Sequence, residues 1–501
     1  MSWTQIALDL NSVEDYRKFC QIKRLPAWKV SGRVASFPSE YAATIGVEAV
    51  KQWEHLRLTP DAPTLFDYQR DIIKIALEKQ KFAVFADCGL GKSLILLHYA
   101  REVAARLGVG KRVLIITPPM VVPQLAKEAE RFFGDSIQTT IVKAKGLQEW
   151  LNGTGPDIGI TNYEALKKTT QRGNLGALVL DESSILKSHY GNYASIILDL
   201  GRGLEYKLCC TGTPAPNDRI EYANHAVFLD RFPTVNSFLA KYFVNRGQTD
   251  GRWELKPHAL RPFYRSLSDW CIFLTDPSVY GWKDNCRTLP PIHTHIEHVP
   301  LTDDQRRWVQ QHLGSLVATR AGGITSRGAY GQVAKGHWKG QDFATNKPAY
   351  IRDRIAEWSK DESTIVWCKY DHEQDRLADV IADAESLSGK TKPSQRIESV
   401  ERFKAGQSST LISKPRILGF GLNLQVATRQ VFSGLQDSYE EFYQCVKRSN
   451  RIGSTKPLNV HIPVTELEEP MVENVLQKAH RVEQDTREQE AVFREESILW
   501  N

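Results

Sequence analysis

The chain has 501 residues, too many for one ordinary domain and enough for two or three, and its 41% hydrophobic and 25% charged residues exclude disorder across the whole length. A net charge of +6 permits nucleic-acid binding without requiring it, and eight scattered cysteines with no CxxC pair or zinc-finger spacing read as small hydrophobes in a reducing compartment. No run nears the roughly 20 apolar residues of a membrane span. The early acids of MSWTQIALDLNSVEDYRKF speak against a signal peptide, so a cytoplasmic protein away from membranes is expected.

Residues 1–59 mix short amphipathic stretches with turn signals at Leu25-Pro26 and Ser31-Gly32, and are expected to form a small accessory domain that carries no motif for a task. From Leu65 the pattern changes to β-rich runs alternating with helical ones: KFAVFA, SLILLHYAREVAARL, RVLIITP, QLAKEAERFF, DIGITN, ALVLDE and YKLCCTGTP. Buried strands alternating with amphipathic helices predict an α/β fold with a parallel sheet, here over residues 60–262. Residues 263–348 are less regular. Their Gly-rich, basic part at 320–347 has Asp342 as its only acid and reads either as a clamp for nucleic acid or as a solvated linker. A second α/β pattern over residues 349–466 runs through STIVWCKY, DHEQDRLADVIA, STLISKP, RQVFSG and NVHIPVT. A charged, helical tail follows at 467–501, and no repeat of solenoid period interrupts the plan.

The first chemical signal is Ala86-Asp87-Cys88-Gly89-Leu90-Gly91-Lys92-Ser93, placed between a strand and a helix. Glycines let successive backbone N–H groups close around a phosphate chain, and the following helix offers its positive end. Lys92 is expected to reach the outer phosphates and the Ser93 hydroxyl to hold Mg²⁺, with Cys88, Gly89, Leu90 and Gly91 as the cradle. Ala86 stands where the pattern usually begins with glycine. Ahead of the loop, in Phe66-Asp67-Tyr68-Gln69-Arg70, the Gln69 amide suits a purine edge. The second signal is the strand Leu178-Val179-Leu180 ending in Asp181-Glu182. A strand of a parallel sheet delivers its C-terminal end to the ligand crevice, where Asp181 is expected to hold Mg²⁺ and Glu182 to orient the attacking water.

Taken in order, ADCGLGKS, LVLDESS, LCCTGTPAPN, GFGLNL and QCVKRSNRIGS resemble the motifs of superfamily 2 helicase-like ATPases. Within that group they look most like the Swi/Snf-type double-stranded DNA translocases, in a compact bacterial or bacteriophage form. The resemblance extends over residues 65–466 and includes LRPFYRSLSDWCIFL, LPPIHTHIEHVPLTDDQRRW and SLSGKTKPSQRIESVERFKAG. It implies two tandem RecA-like domains that bind ATP and Mg²⁺ between them. Residue by residue, it assigns Gln69, Gly89, Gly91, Lys92, Ser93, Asp181 and Glu182 to the nucleotide site. Thr211, Gly212 and Thr213 fall to coupling, Gly421 and Asn423 to a segment facing nucleotide and DNA, and Gln444, Arg448 and Arg451 to the arginine motif. Forked, permanently charged guanidinium groups suit the charge on a transferring phosphoryl group. The sequence departs from the pattern at Ser183-Ser184, which replace the alanine and histidine usual after the two acids. It also carries Lys447 in place of glycine and Ser454 in place of glutamine, which touches the coupling rather than the charged groups.

Nucleic acid is the partner that the resemblance implies, double-stranded or branched DNA foremost. Thr117, Thr161, Asn162, Lys369 and Tyr370 are candidate contacts, mainly to phosphate. Three functions are expected in order: a monomeric ATP-driven duplex translocase in replication, repair or recombination, a strand-separating DNA or RNA helicase, and an ATP-gated clamp without productive turnover.

Overall fold

A computed structural model describes residues 3–46, 56–59, 65–119, 121–153, 157–168, 170–187, 192–247, 253–285, 289–313, 324–358, 362–418, 423–435, 438–451 and 454–496. Contacts divide the chain into two compact units, Met1–Cys286 with Gln484–Asn501, and Arg287–Glu483.

The first unit opens with β1 (Trp3–Ala7), α1 (Val13–Ile22), β2 (Lys29–Ser31) and β3 (Val34–Pro38). The three strands form an antiparallel sheet in the order β1-β3-β2. Ser12 caps α1 by accepting from the Asp15 amide at 3.2 Å, and Leu8, Ile22, Ala35, Phe37 and Tyr41 make a small core of their own. A core this small cannot hold a fold unaided, and this module is anchored by buried charge. Lys79 pairs with Glu40 of the module and, at 3.2 Å, with Asp269; Arg231 reaches the other Asp269 oxygen at 3.0 Å, and the Tyr41 hydroxyl donates to Asp269 at 3.3 Å.

There follow α2 (Asp67–Lys79), β4 (Lys81–Ala86), α3 (Lys92–Leu107), β5 (Arg112–Thr117), α4 (Val122–Phe133), β6 (Thr139–Ile141), α5 (Leu147–Asn152), β7 (Ile158–Asn162), β8 (Leu175–Asp181), α6 (Asn192–Gly201), β9 (Tyr206–Thr211), α7 (Tyr222–Phe228), α8 (Val235–Tyr242), the hairpin β10 (Phe243–Asn245) and β11 (Trp253–Leu255), α9 (Leu260–Ser268) and β12 (Cys271–Leu274). Strands buried on both faces need unbroken apolar runs, and β5 and β9 are buried at every position. The seven-stranded sheet β12-β4-β9-β8-β5-β7-β6 is parallel throughout. CIFL, near the start of the stretch expected to be irregular from residue 263, is thus an edge strand beside β4, and the first sheet runs past residue 262.

The second unit contains β13 (Ile292–His298), α10 (Asp303–Leu313), α11 (Ile324–Ala334), the small hairpin β14 (His337–Trp338) and β15 (Gln341–Asp342), α12 (Lys347–Glu357), β16 (Ser363–Trp367), α13 (Asp371–Val380), β17 (Glu385–Leu387), α14 (Pro393–Lys404), β18 (Thr410–Ser413), α15 (Pro415–Leu418), β19 (Ala427–Phe432), α16 (Tyr439–Ser449), β20 (Leu458–Val464) and the start of α17 (Glu469–Glu496). Its parallel sheet has the order β13-β20-β19-β16-β18-β17. The architecture is that of tandem RecA-like α/β domains, as expected. The described part of the basic stretch, residues 324–347, is folded rather than a solvated linker. Its Lys335 and Lys347 are buried and share Glu468, at 2.8 and 2.6 Å, so neither ammonium is offered to a ligand. The end of α17, from residue 484, belongs to the first unit: Glu490 accepts from the Thr275 amide at 3.1 Å and Gln489 donates to the Tyr222 hydroxyl at 3.2 Å. Among the described residues no helix is long and apolar enough to cross a membrane.

Candidate nucleotide site

Between β4 and α3 the backbone turns through two left-handed glycines, Gly89 at φ +91° and Gly91 at φ +71°. Gly91 is the N-cap of α3, and no side chain caps that helix, which leaves the positive end of a 16-residue helix facing the loop. A Cβ at Gly91 would lie 2.2 Å from the Gln69 amide nitrogen, so only glycine fits. Gln69 is itself buried against this loop: its oxygen accepts from the Phe66 amide at 3.2 Å and its nitrogen donates to the Leu90 carbonyl at 3.4 Å. The Tyr68 hydroxyl donates to the same carbonyl at 3.0 Å and accepts from Asn285 at 3.1 Å. Asp67 and Asp284 bind each other's backbone amides, which fastens the end of the unit to the start of α2. Within the loop the Cys88 amide donates to the Asp87 carboxylate at 2.6 Å. Lys92 donates to the carbonyls of Ala86 at 2.8 Å and Asp87 at 3.2 Å. Burial alone would lower the pKa of this ammonium, but the Cys88 thiol, Glu182, Asp87 and Asp181 outweigh it and hold the pKa above its ordinary value.

Strands β4, β9 and β8 are neighbours, and their registers set Phe85 beside Thr211 and Cys210 beside Asp181. The phosphate loop, the Thr211–Thr213 segment and the acidic pair therefore emerge side by side at the C-terminal edge of one sheet. The Thr117 hydroxyl donates to Asp181 at 2.7 Å and the Tyr163 hydroxyl to the Asp181 carbonyl at 2.6 Å. Burial, then the neighbouring Glu182 charge, pushes the Asp181 carboxyl up to about 7, against the pull of Thr117 and Lys92. Glu182 has φ +50°, a left-handed backbone that is costly for this residue and typical of strained functional positions. Its carboxylate accepts from the Thr211 hydroxyl at 3.2 Å, and that hydroxyl in turn accepts from the Thr213 amide at 3.2 Å. This is the route from the acid to the Thr211-Gly212-Thr213 segment when no histidine stands at position 184. Ser183 instead meets His225 of α7, Oγ to Nε2 at 3.1 Å. Burial lowers that imidazole to about 4, so it is neutral. The parts played by Tyr68, Tyr163 and His225 carry no sequence signal because their partners lie 18 to 217 residues away.

The first unit holds three of the residues expected at nucleic acid, each bound within the fold. Thr117 and Thr161 are fully or almost fully buried, with hydroxyls given to Asp181 and to the Val142 carbonyl at 2.7 Å, so their side chains brace strand ends and do not face a phosphate. Asn162 accepts from the Ala165 amide at 2.9 Å and caps a short turn.

In the second unit, Gln444 and Arg448 are buried on α16, and the Arg448 carbonyl accepts from the Leu424 amide at 3.0 Å. Asn423 organises the turn before β19 by accepting from the Gln425 amide at 3.2 Å. Gly421 lies outside the described residues. Past the helix, the Arg451 amide donates to Ser454 at 3.2 Å, and Ser454 donates to the Ser449 carbonyl at 2.7 Å, so the serine that replaces glutamine closes the helix end. Lys447 lies over the Tyr443 ring at 5.6 Å. Gln430 ties the two elements together, donating to the Cys445 carbonyl at 2.9 Å and to Ser449 at 2.8 Å. Lys369 pairs with Glu441 at 2.9 Å, and the amides of Lys369 and Tyr370 both bind Glu373.

Residues 68–339 match the SNF2-related domain, and residues 346–453 match the helicase conserved C-terminal domain. No curated protein matches the chain. A solved structure to which it is similar is a Sulfolobus solfataricus SWI2/SNF2 ATPase core in complex with dsDNA, 17% identical, with 89% of this chain and 99% of that chain covered and a TM-score of 0.40. With more than half of its length matched by one family model, and the helicase C-terminal domain following in order, this chain belongs to the SNF2-related family of helicase-like proteins.

Proposed function

We propose that the protein hydrolyses ATP and uses the energy to move on, or remodel, duplex or branched DNA. The observation that carries this reading is the row formed by Lys92, Thr211 and Asp181-Glu182 at three adjacent strand ends, because transfer of a phosphoryl group to water needs a cation on the phosphates, a metal ligand and an oriented base together. The backbone amides from Cys88 to Ser93 cradle the phosphate chain, the Cys88 amide leaving the Asp87 carboxylate and Lys92 leaving the Ala86 and Asp87 carbonyls for the outer phosphates. The donor set fits Mg²⁺: Ser93 opens α3, and Asp181 is a single buried carboxylate whose ionisation a dication would favour. The ion, when bound, neutralises phosphate oxygen charge. Glu182 orients the attacking water, and Thr211 transmits its state to Gly212 and Thr213. Gln69, with its amide on the loop, reads the adenine side, and Gln444, Arg448 and Arg451 meet the charge that develops on the transferring group. Lys369 and Tyr370 contact the nucleic acid, and the segment with Gly421 and Asn423 serves both nucleotide and DNA. Family membership supports duplex DNA as the track; replication, repair or recombination is the setting we propose for it.

The test is the ATPase rate of the full chain with single-stranded, duplex, forked and four-way DNA and with RNA. Duplex-stimulated turnover that falls about 10²–10³-fold in Lys92→Ala and in Glu182→Gln is expected. A flat response across the substrates overturns the motor reading in favour of a clamp, and strand displacement on forks favours a helicase.

A further inference from the structure

The N-terminal module and the first α/β sheet enclose a cleft of about 360 Å³, a size that suits a small ligand. It lies at the beginnings of β4 and β12, next to Lys81 and Trp270, whereas the phosphate loop leaves the far end of β4. At about 3.3 Å per strand residue the two sites are about 17 Å apart along β4. The module's surface in the cleft comes from Trp3, the turn at Pro26 and Ala27, Trp28 and Lys29; the sheet side contributes the segment 229–232, Lys241 and the approach to β12.

The lining is aromatic and cationic at once. Trp3, Trp28 and Phe232 are half-buried, with part of each ring open, and Trp270 is buried at the inner end. The Trp270 indole N–H is buried and has no hydrogen-bond acceptor among the described residues. Such an orphan donor is costly unless a ligand satisfies it. Five cations line the cleft against two carboxylates. Lys79 and Arg231 are spent on Asp269, and Lys81 pairs with Asp230 at 2.8 Å. Lys29 and Lys241, both exposed, sit on rings instead: Lys29 over Trp3 at 5.2 Å, and Lys241 over Phe232 at 5.5 Å and Tyr242 at 5.1 Å. Exposed ammonium groups held beside aromatic faces in the lining of a cleft meet phosphates, while the rings accept a flat base. Bases in a duplex are already stacked on each other, so a ring platform selects a strand whose bases are free.

We propose that this cleft binds one or two nucleotides of single-stranded nucleic acid, with a base among Trp3, Trp28 and Phe232 and the flanking phosphates on Lys29 and Lys241. The inference gives the N-terminal module a task independent of ATP hydrolysis: holding a strand apart from the motor's track.

The test uses the full-length protein and fluorescein-labelled 8-mers of dT and rU, with an abasic 8-mer as the control for phosphate alone, read by fluorescence anisotropy at several salt concentrations. Lys29→Ala/Lys241→Ala and Trp28→Ala are the variants; the lysines are exposed, so the double variant keeps the fold. Binding is expected to weaken about 10-fold or more in both. In the lysine variant the slope of log affinity against log salt is expected to flatten by about 1.4, two contacts at roughly 0.7 each. The tighter of the dT and rU strands identifies the sugar. Equal binding by parent and variants, or an abasic strand that binds as well as dT, overturns the proposal. Duplex-stimulated ATPase in the same samples reads the motor separately and is expected to stay unchanged.

Discussion

Gly91→Ala is the sharpest probe of the nucleotide site. At φ +71° an alanine carries about 1–2 kcal/mol of backbone strain. Its Cβ would also stand 2.2 Å from the Gln69 amide nitrogen, well inside contact distance. That nitrogen ends a flexible side chain, so the collision would be cheap if Gln69 were free to swing. It is buried and held at both ends, by Phe66 and by Leu90, and moving it forfeits two hydrogen bonds at about 1 kcal/mol each. The total is about 3–4 kcal/mol, which, if expressed wholly in nucleotide binding, weakens affinity by about two to three orders of magnitude. Gln69→Ala alone forfeits the same two bonds and costs about 2 kcal/mol. In the double variant the collision is gone and only strain plus those bonds remain, so its cost equals that of Gly91→Ala. The cycle thus predicts a coupling of about 2 kcal/mol in the sense of rescue. Titration with a fluorescent ATP analogue, alongside hydrogen exchange of the α2 and loop peptides, measures it. Additive costs, or unchanged affinity in Gly91→Ala, would refute the idea that Gln69 and the loop share one tight contact.

Three further outcomes are expected. Glu468→Ala strands two buried ammonium groups and should destabilise the second unit by about 3–5 kcal/mol in urea unfolding, whereas Lys335→Met/Lys347→Met/Glu468→Leu should recover most of it. Burial raises the Glu468 carboxyl's pKa, but Lys335 and Lys347 win and hold it at about 2, so its contribution is complete above the ordinary glutamate range and fades as pH falls towards 2; the triple variant should lack that fade. Asp181 behaves in the opposite sense. Its folded pKa of about 7 lies above the ordinary value, so the unfolded chain ionises first and stability declines as pH rises from about 4 to 7; Asp181→Asn should remove the decline and be the more stable protein at pH 8. For His225 the folded pKa, about 4, lies below the ordinary 6.5, so the first unit should lose stability as pH falls through that window, and Ser183→Ala/His225→Phe should flatten the loss, read by thermal unfolding at stepped pH.

What sequence discloses about such a fold depends on how far burial and periodicity agree. β4, β5, β8 and β9 are legible because strands inside a parallel sheet must be apolar on both faces, and KFAVFA, RVLIIT, LGALVLD and YKLCCT are continuous or nearly so. β12 and β13 are not. The first is four residues long, and the second, IHTHIEH, lies at an edge with almost every residue exposed, so nothing in its composition marks a strand whose register is set by β20. The last residues of α17 read as a charged tail because their contacts, Glu490 to Thr275 and Gln489 to Tyr222, are with residues more than 200 positions earlier.

At the site the same division falls between groups that must carry charge and groups that hold them. Lys92, Asp181 and Glu182 announce themselves because phosphate chemistry restricts residue type and spacing together. Their supports need only a hydroxyl or a carbonyl at the right distance, which many residues supply, so Thr117 under Asp181 and Tyr163 behind it carry no signature and Thr117 even reads as a contact for nucleic acid. Ser183-Ser184 shows why a departure from pattern need not break the device. Thr211, at the end of β9, binds Glu182 directly, while Ser183 turns its hydroxyl inward to His225, a buried imidazole in the place of the one that position 184 lacks. Ser183→Ala removes a fully buried hydroxyl and leaves the His225 Nε2 without its partner, so the duplex-stimulated ATPase rate should fall although Lys92, Asp181 and Glu182 are intact; an unchanged rate would show that the buried pair plays no part in turnover.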